Sequence, residues 1–209
     1  MNSVDELAAL SEEAIETFVG LLERARADQP PEHVVVCRAG CPHCCYQPEI
    51  TVTAIEVFRV ADFIFSHFTD DEVEHLLETL PPKATTAQAT LESSTWSLKA
   101  CPLLRDGSCS VYAARPLLCH GGNSYDASDC ERARTNNHRV ASIWNYGLQE
   151  RAGYLTQAAL RQGITDAGRQ SDLLDLAPAL AIALREPNPE QRWLDGEPVF
   201  ANARARLES

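Results

Sequence analysis

Cys37-Arg-Ala-Gly-Cys41-Pro-His-Cys44-Cys45 places four thiols within nine residues, and Cys101, Cys109, Cys119 and Cys130 place four more within thirty. A soft metal needs deprotonated sulfurs about 2.3 Å from a common centre, and close spacings in one loop supply several such ligands together. The C-x3-C-x2-C unit of Cys37, Cys41 and Cys44 therefore offers three convergent sulfurs, with a fourth expected from Cys101, Cys109 or Cys119. Cys45 projects away from its neighbour, so it is expected to serve a second centre or to bridge two metals. All eight cysteines are candidate metal ligands. Cys41, central in the tight group, is expected to matter more for metal retention than Cys130, at the start of a helix.

Free cysteines also act as small buried hydrophobes, but eight thiols in two tight groups do not fit that use. A disulfide framework does not fit either. Adjacent residues such as Cys44 and Cys45 rarely meet disulfide geometry, and a chain of 209 residues has core material enough to fold without staples. Both zinc and an iron–sulfur cluster suit the donor set.

Two other residues are expected beside the sulfurs rather than as ligands: His43, between Cys41 and Cys44, and His120, after Cys119; the Arg115 guanidinium can donate to thiolates or loop carbonyls, or lie on the surface of a turn. Arg38, Lys99, Arg105 and Arg115 are the cations nearest the cysteines in sequence and could offset thiolate charge.

Composition narrows the class. Hydrophobic residues make up 44% and charged residues 23% of the chain, the balance of a folded soluble protein. A net charge of −12 argues against a nucleic-acid partner, which needs a basic surface. The acidic N-terminus lacks the pattern of a secretory signal, and no stretch reaches the ~20 apolar residues of a membrane span. The expected location is the cytoplasm, where thiols stay reduced.

The elements that must position the sulfurs read as helices. Residues 3–27 form an amphipathic helix, opened by Ser3 with Glu6 as a capping box and burying Leu7, Leu10, Ile15, Phe18, Val19 and Leu22. Residues 33–36 are an extended lead-in to Cys37. Thr53 with Glu56 opens a helix to about Phe65, and Thr69 with Glu72 opens another to Leu80. A further helix is expected over 83–97. Residues 100–130 are loop-rich, with at most single helical turns. A long helix is expected from about Ala127 to Gly163 through Val140, Ile143, Trp144, Leu148, Leu155 and Leu160. Another runs from Ser171 to Arg185 with Pro178 as a kink near its middle, and Pro189 opens a short helix around Trp193. The expected fold is all-α: one compact helical domain over 1–209, with two irregular cysteine-rich loops converging on a metal site. Within it, 1–30 is the N-terminal helix, 37–130 the cysteine core and 131–209 a C-terminal helical part.

The combined pattern Cys37-x3-Cys41-x2-Cys44-Cys45, Cys101-Pro-Leu-Leu104, Gly107-Ser-Cys109-Ser-Val-Tyr112 and Arg115-Pro-Leu-Leu-Cys119 resembles the YkgJ family of cysteine-cluster proteins. Asn123-Ser124, Cys130 and the Thr53/Glu56 helix start extend the likeness to about residues 37–130. The resemblance implies a zinc- or iron-chelating domain and places Arg115 beside the metal. It departs at His120, where such proteins commonly carry arginine. His120 could neutralise the site only when protonated, or could coordinate. A similar signature occurs in the flagellin lysine methylase, which implies an iron–sulfur centre and a possible methyl-transfer enzyme. C-x3-C-x2-C is also the spacing of radical S-adenosylmethionine enzymes, but the alternating strands and helices of their barrel are not seen in the sequence. The readings left open are a metal-binding protein with a redox or metal-handling role, an enzyme using a cluster for methyl transfer or protein modification, and a zinc-stabilised interaction module.

Overall fold

In a computed structural model, described over residues 1, 3–46, 50–80, 100–135 and 143–205, most of the chain is helical. Helix α1 (Val4–Asp28) starts where the Ser3 side chain accepts the Glu6 N–H at 3.3 Å. Its buried stripe is Leu7, Ser11, Ala14 and Phe18, spaced at i, i+4, i+7 and i+11. Val19, expected in the core, is exposed.

Helix α2 (Ala54–His67) is central. Its capping box is complete: Thr53 accepts the Glu56 N–H, and the Glu56 carboxylate accepts the Thr53 N–H at 2.8 Å. Ile55, Val57, Phe58, Val60, Ala61 and Ile64 are all buried, so α2 meets neighbours on nearly every face. Thr69 with Glu72 caps α3 (Asp70–Thr79) in the same reciprocal way. The helix expected over 83–97 lies outside the described residues.

Two short sheets were not expected. Strand β1 (Thr51–Val52) pairs antiparallel with β4 (Leu174–Asp175), Thr51 opposite Asp175. These strands directly precede α2 and α7 (Leu176–Arg185) and so start the two helices side by side. Strands β2 (Leu104–Arg105) and β3 (Ser108–Cys109) form a hairpin. Its turn, Asp106-Gly107, has φ of 48° and 76°, the pair of left-handed conformations that an Asp-Gly turn supplies.

The second half departs further from expectation. Helix α4 (Leu117–Gly121) is a single turn and α5 (Ala127–Thr135) is short. No continuous helix runs on to Gly163: residues 143–146 are irregular, and α6 begins at Gly147 and runs to Asp166. Asn123 explains the break. Its Oδ1 accepts the Tyr146 N–H at 2.7 Å and its amide donates to the Tyr146 carbonyl at 3.1 Å, so that backbone is held outside a helical ladder. Val140 is outside the described residues. The inward face of α6 follows the expected leucines only in part: Leu160 packs against the core. Gln149, Ala152, Gly153, Thr156, Gln157 and Ile164 are buried, whereas Leu155 is exposed.

Helix α7 begins at Leu176 rather than Ser171, which puts Pro178 in the first turn, where a missing N–H costs nothing and no kink arises. Helix α8 (Pro189–Leu194) carries the expected proline start and buries Trp193. Among the described residues, no helix is long and apolar enough to cross a membrane.

Candidate metal centre

The first cysteine loop is built from tight turns. Gly40 takes φ 83°, in the left-handed region, and the Cys41 N–H donates to the Arg38 carbonyl at 3.2 Å. A 3-10 turn over His43–Tyr46 follows, with Cys45 N–H donating to Pro42 O at 2.9 Å. Residues 33–36 make no strand. Val36 instead donates its N–H to the Ser124 carbonyl at 3.0 Å, which ties the approach to Cys37 to the second cysteine region.

That second region comes back to the first by direct backbone contact. Cys101 N–H donates to Cys45 O at 2.7 Å. The β2–β3 hairpin then sets Cys109 opposite Leu104, with Ser110 donating to Leu103 O through both its N–H and its hydroxyl. Leu103 and Val111 anchor the hairpin in the main core. Cys119 lies in the middle of α4, and Cys130 lies on α5, which packs against the His43–Tyr46 turn and sets Arg134 over the Tyr46 ring at 4.7 Å.

Electrostatics reveal which sulfurs are neighbours. Desolvation pushes Cys37 up from its ordinary value; the Ser124 backbone opposes this, and nearby Cys130, Cys41 and Cys44 add to it. Cys130 is raised by desolvation and by Cys41 and Cys44, while the Ser124 side chain stabilises its thiolate. Ser124, itself fully buried, thus touches both Cys37 and Cys130. On the other side, burial raises Cys101 to about 11, with Cys109 and Cys44 as added negative neighbours. Burial also raises Cys119, with further contributions from Cys101, Cys44 and Cys109.

Two neighbourhoods result: Cys37, Cys41 and Cys130 in one, and Cys45, Cys101, Cys109 and Cys119 in the other. Cys44 borders both. Its thiol accepts a hydrogen bond from Cys45, which lowers Cys44 to about 7, and the Arg115 cation assists; the same bond holds Cys45 well above the ordinary thiol range. The sequence expectation grouped Cys37, Cys41 and Cys44 with a fourth ligand from Cys101, Cys109 or Cys119. Cys130 also lies within electrostatic reach of Cys37, Cys41 and Cys44, and Cys44 within reach of Cys101, Cys109 and Cys119.

The residues expected beside the sulfurs divide. The Arg115 guanidinium lies 3.9 Å over the Tyr112 ring and favours the thiolates of Cys44 and Cys109. Arg105 does not serve the cysteines; it pairs with Glu72 at 3.1 Å and covers Phe68. Lys99 lies outside the described residues. His120 packs its ring on Phe18, and burial, with Arg115 and Arg59 nearby, lowers it to about 4. It is therefore neutral at pH 7 and does not replace a cationic arginine.

The donor chemistry fits zinc or iron. Eight thiols are gathered from two loops, and His43 Nδ1, Arg115 Nε and His120 Nε2 are buried without a hydrogen-bond partner among the described residues. No three His, Cys, Asp or Glu side chains among the described residues already stand in a coordinating arrangement.

Sequence reasoning missed the residues that hold α4 in place. Glu56 Oε1 accepts the Leu117 N–H at 2.9 Å. Gln149 donates to the His120 carbonyl at 3.0 Å. Gln157 donates to Glu56 Oε2 at 3.2 Å and to Thr51 O at 2.9 Å. A methyl group on Gly153 would lie 3.1 Å from the Leu117 carbonyl oxygen. The available signal was Gln149-x3-Gly153-x3-Gln157, a polar and small stripe at helical spacing.

No curated protein and no solved structure matches the chain. A family model does match: CxxCxxCC, a putative zinc- or iron-chelating domain, over residues 36–138, about half of the chain. The match spans all eight cysteines, and through it this chain belongs to the CxxCxxCC family of cysteine-cluster proteins.

Proposed function

We propose that this is a metal-binding protein that holds zinc or an iron–sulfur cluster on thiolates drawn from both cysteine loops, with a redox or metal-handling role. The observation that carries this reading is the hydrogen bond from Cys101 N–H to Cys45 O at 2.7 Å. It joins two cysteine groups separated in sequence by α2 and α3, and so brings thiols from both loops into one region. The chelating-domain match supports the same chemistry.

In this reading Cys37, Cys41 and Cys130 form one ligand set, Cys45, Cys101, Cys109 and Cys119 form the other, and Cys44 completes the first or bridges the two. Four sulfurs around each of two ions is the arrangement of structural tetrahedral sites. Arg115 reduces the net negative charge that the thiolates would accumulate. His43, with a buried unpartnered Nδ1, stands by as a nitrogen donor.

The test is elemental analysis of protein purified without oxygen, with acid-labile sulfide measured on the same sample. Bound iron with sulfide supports the cluster, zinc without sulfide supports the tetrahedral sites, and neither metal rejects the function.

A further inference from the structure

Glu56 is a carboxylic acid in the middle of the core, only 5% exposed, and the capping of its own helix uses only one of its oxygens. Oε2 accepts from the Thr53 N–H at 2.8 Å, the Thr53 hydroxyl at 3.0 Å and the Gln157 amide at 3.2 Å. Oε1 accepts the Leu117 N–H at 2.9 Å, from the first residue of α4. Helix α4 needs this. Its N-cap is Pro116, which offers no side-chain acceptor, and a single turn has too few internal hydrogen bonds to hold itself. Glu56 caps α4 from another helix, and Cys119 lies two residues further on.

The surrounding contacts act on the same segment. One turn along α2, Arg59 donates to the Ala113 carbonyl at 3.0 Å and the Arg115 carbonyl at 3.5 Å. Gln149 holds the far end of α4 at the His120 carbonyl. Glu56 is the only member of this group, among the described residues, bonded to both the α2 start and the α4 start, so it fixes the Cys119 turn relative to the helix at the centre of the core.

We propose that Glu56 is a positioning residue for the metal centre: its carboxylate caps the Cys119 turn and fixes where that thiol is presented. This rests on the proposed metal-binding function for its consequence, though not for its geometry.

The test uses the full chain with Glu56→Ala, Glu56→Asp and Glu56→Gln. Alanine removes both acceptors, aspartate keeps the charge but falls short of Leu117, and glutamine keeps one acceptor oxygen while setting its NH2 against donors, either the Leu117 N–H or the Thr53 N–H and Gln157 amide. Metal-free protein is labelled with iodoacetamide and each cysteine is followed by mass spectrometry; Co2+ is then added and the thiolate charge-transfer absorption recorded. Loss of the buried hydrogen bond should speed Cys119 labelling by about tenfold or more in the alanine and aspartate variants, through local opening of α4. Cys130 labelling should stay at the wild-type rate, the glutamine variant should fall between wild type and alanine, and Co2+–thiolate absorption should fall in step with Cys119 exposure. Unchanged Cys119 labelling in folded alanine or aspartate variants overturns the proposal. So does equal acceleration at Cys119 and Cys130, or loss of helical circular dichroism in both variants, since either assigns Glu56 to the fold as a whole. A wild-type protein that binds no Co2+ and, as purified, carries neither zinc nor iron with sulfide would refute the metal-binding function and leave the labelling result standing.

Discussion

Glu56 Oε1 and the Leu117 N–H meet at 2.9 Å across 61 residues of chain. This one bond connects the largely buried helix α2 to the turn that carries Cys119. The turn that carries Cys119 is thus tied to polar groups in the interior, and the expected effects of substitution follow from that connection.

The crossing of α4 over α6 should reverse the usual effect of a glycine-to-alanine change. Gly163 has open space where a methyl would go, so Gly163→Ala should stabilise by about 0.5–1 kcal/mol through helix propensity. Gly153→Ala places a methyl 3.1 Å from the Leu117 carbonyl oxygen and 3.2 Å from Gly121 Cα. Since Glu56 and Gln149 restrain α4, the overpacking cost of about 1–3 kcal/mol should exceed that gain. Urea denaturation of the two variants should show midpoints displaced in opposite directions. Equal stabilisation would mean that α4 is free to move.

Cys41→Ser and Cys130→Ser should deplete bound metal to a similar degree. Position in the sequence favours Cys41, but Ser124 touches both Cys37 and Cys130, and α5 packs on the turn that follows Cys41. Zinc per chain after anaerobic reconstitution provides the comparison. Wild-type zinc in Cys130→Ser, with loss in Cys41→Ser, would return Cys130 to a peripheral place.

Burial raises the Glu56 carboxyl above its ordinary value of 4.5, against the hydrogen bonds from Thr53, Leu117 and Gln157 that favour its charged form. The folded chain therefore holds this proton to higher pH than the unfolded chain does. The associated stability is fully present below about pH 4.5 and is lost as pH rises through the folded-state value. Denaturation midpoints of metal-free wild type, measured against Glu56→Gln from pH 4 upward, should stand highest at the acid end, decline as pH rises through the folded-state value and then level off. Parallel profiles across this range would show that Glu56 does not titrate on folding.

Much of the scaffold was legible in the sequence because its signals are local. Thr53 with Glu56 and Thr69 with Glu72 form the boxes that their spacing implies, and Pro189 opens α8. The Asp106-Gly107 hairpin was equally local and was passed over, because strands of two residues show no alternation to read. The break at residues 143–146 was not legible. It depends on Asn123, 23 residues away, competing for the Tyr146 backbone. The inward face of α6 was misread in part for a similar reason: Gln149 and Gln157 are buried to satisfy distant backbone and carboxylate groups, which hydrophobic periodicity does not register. At the metal centre, the identity of the cysteines was plain from type and spacing. Their grouping was not, since it depends on where the Ser124 turn and α5 return to the first loop.

The most direct test of the account is the metal content of anaerobically purified full-length protein, measured with acid-labile sulfide and free-thiol count on one sample. Zinc or iron is expected at one or more ions per chain, with most of the eight thiols protected from a thiol reagent until a chelator is added. Metal-free protein with all eight thiols reactive, unable to take up either metal on reconstitution, would contradict it.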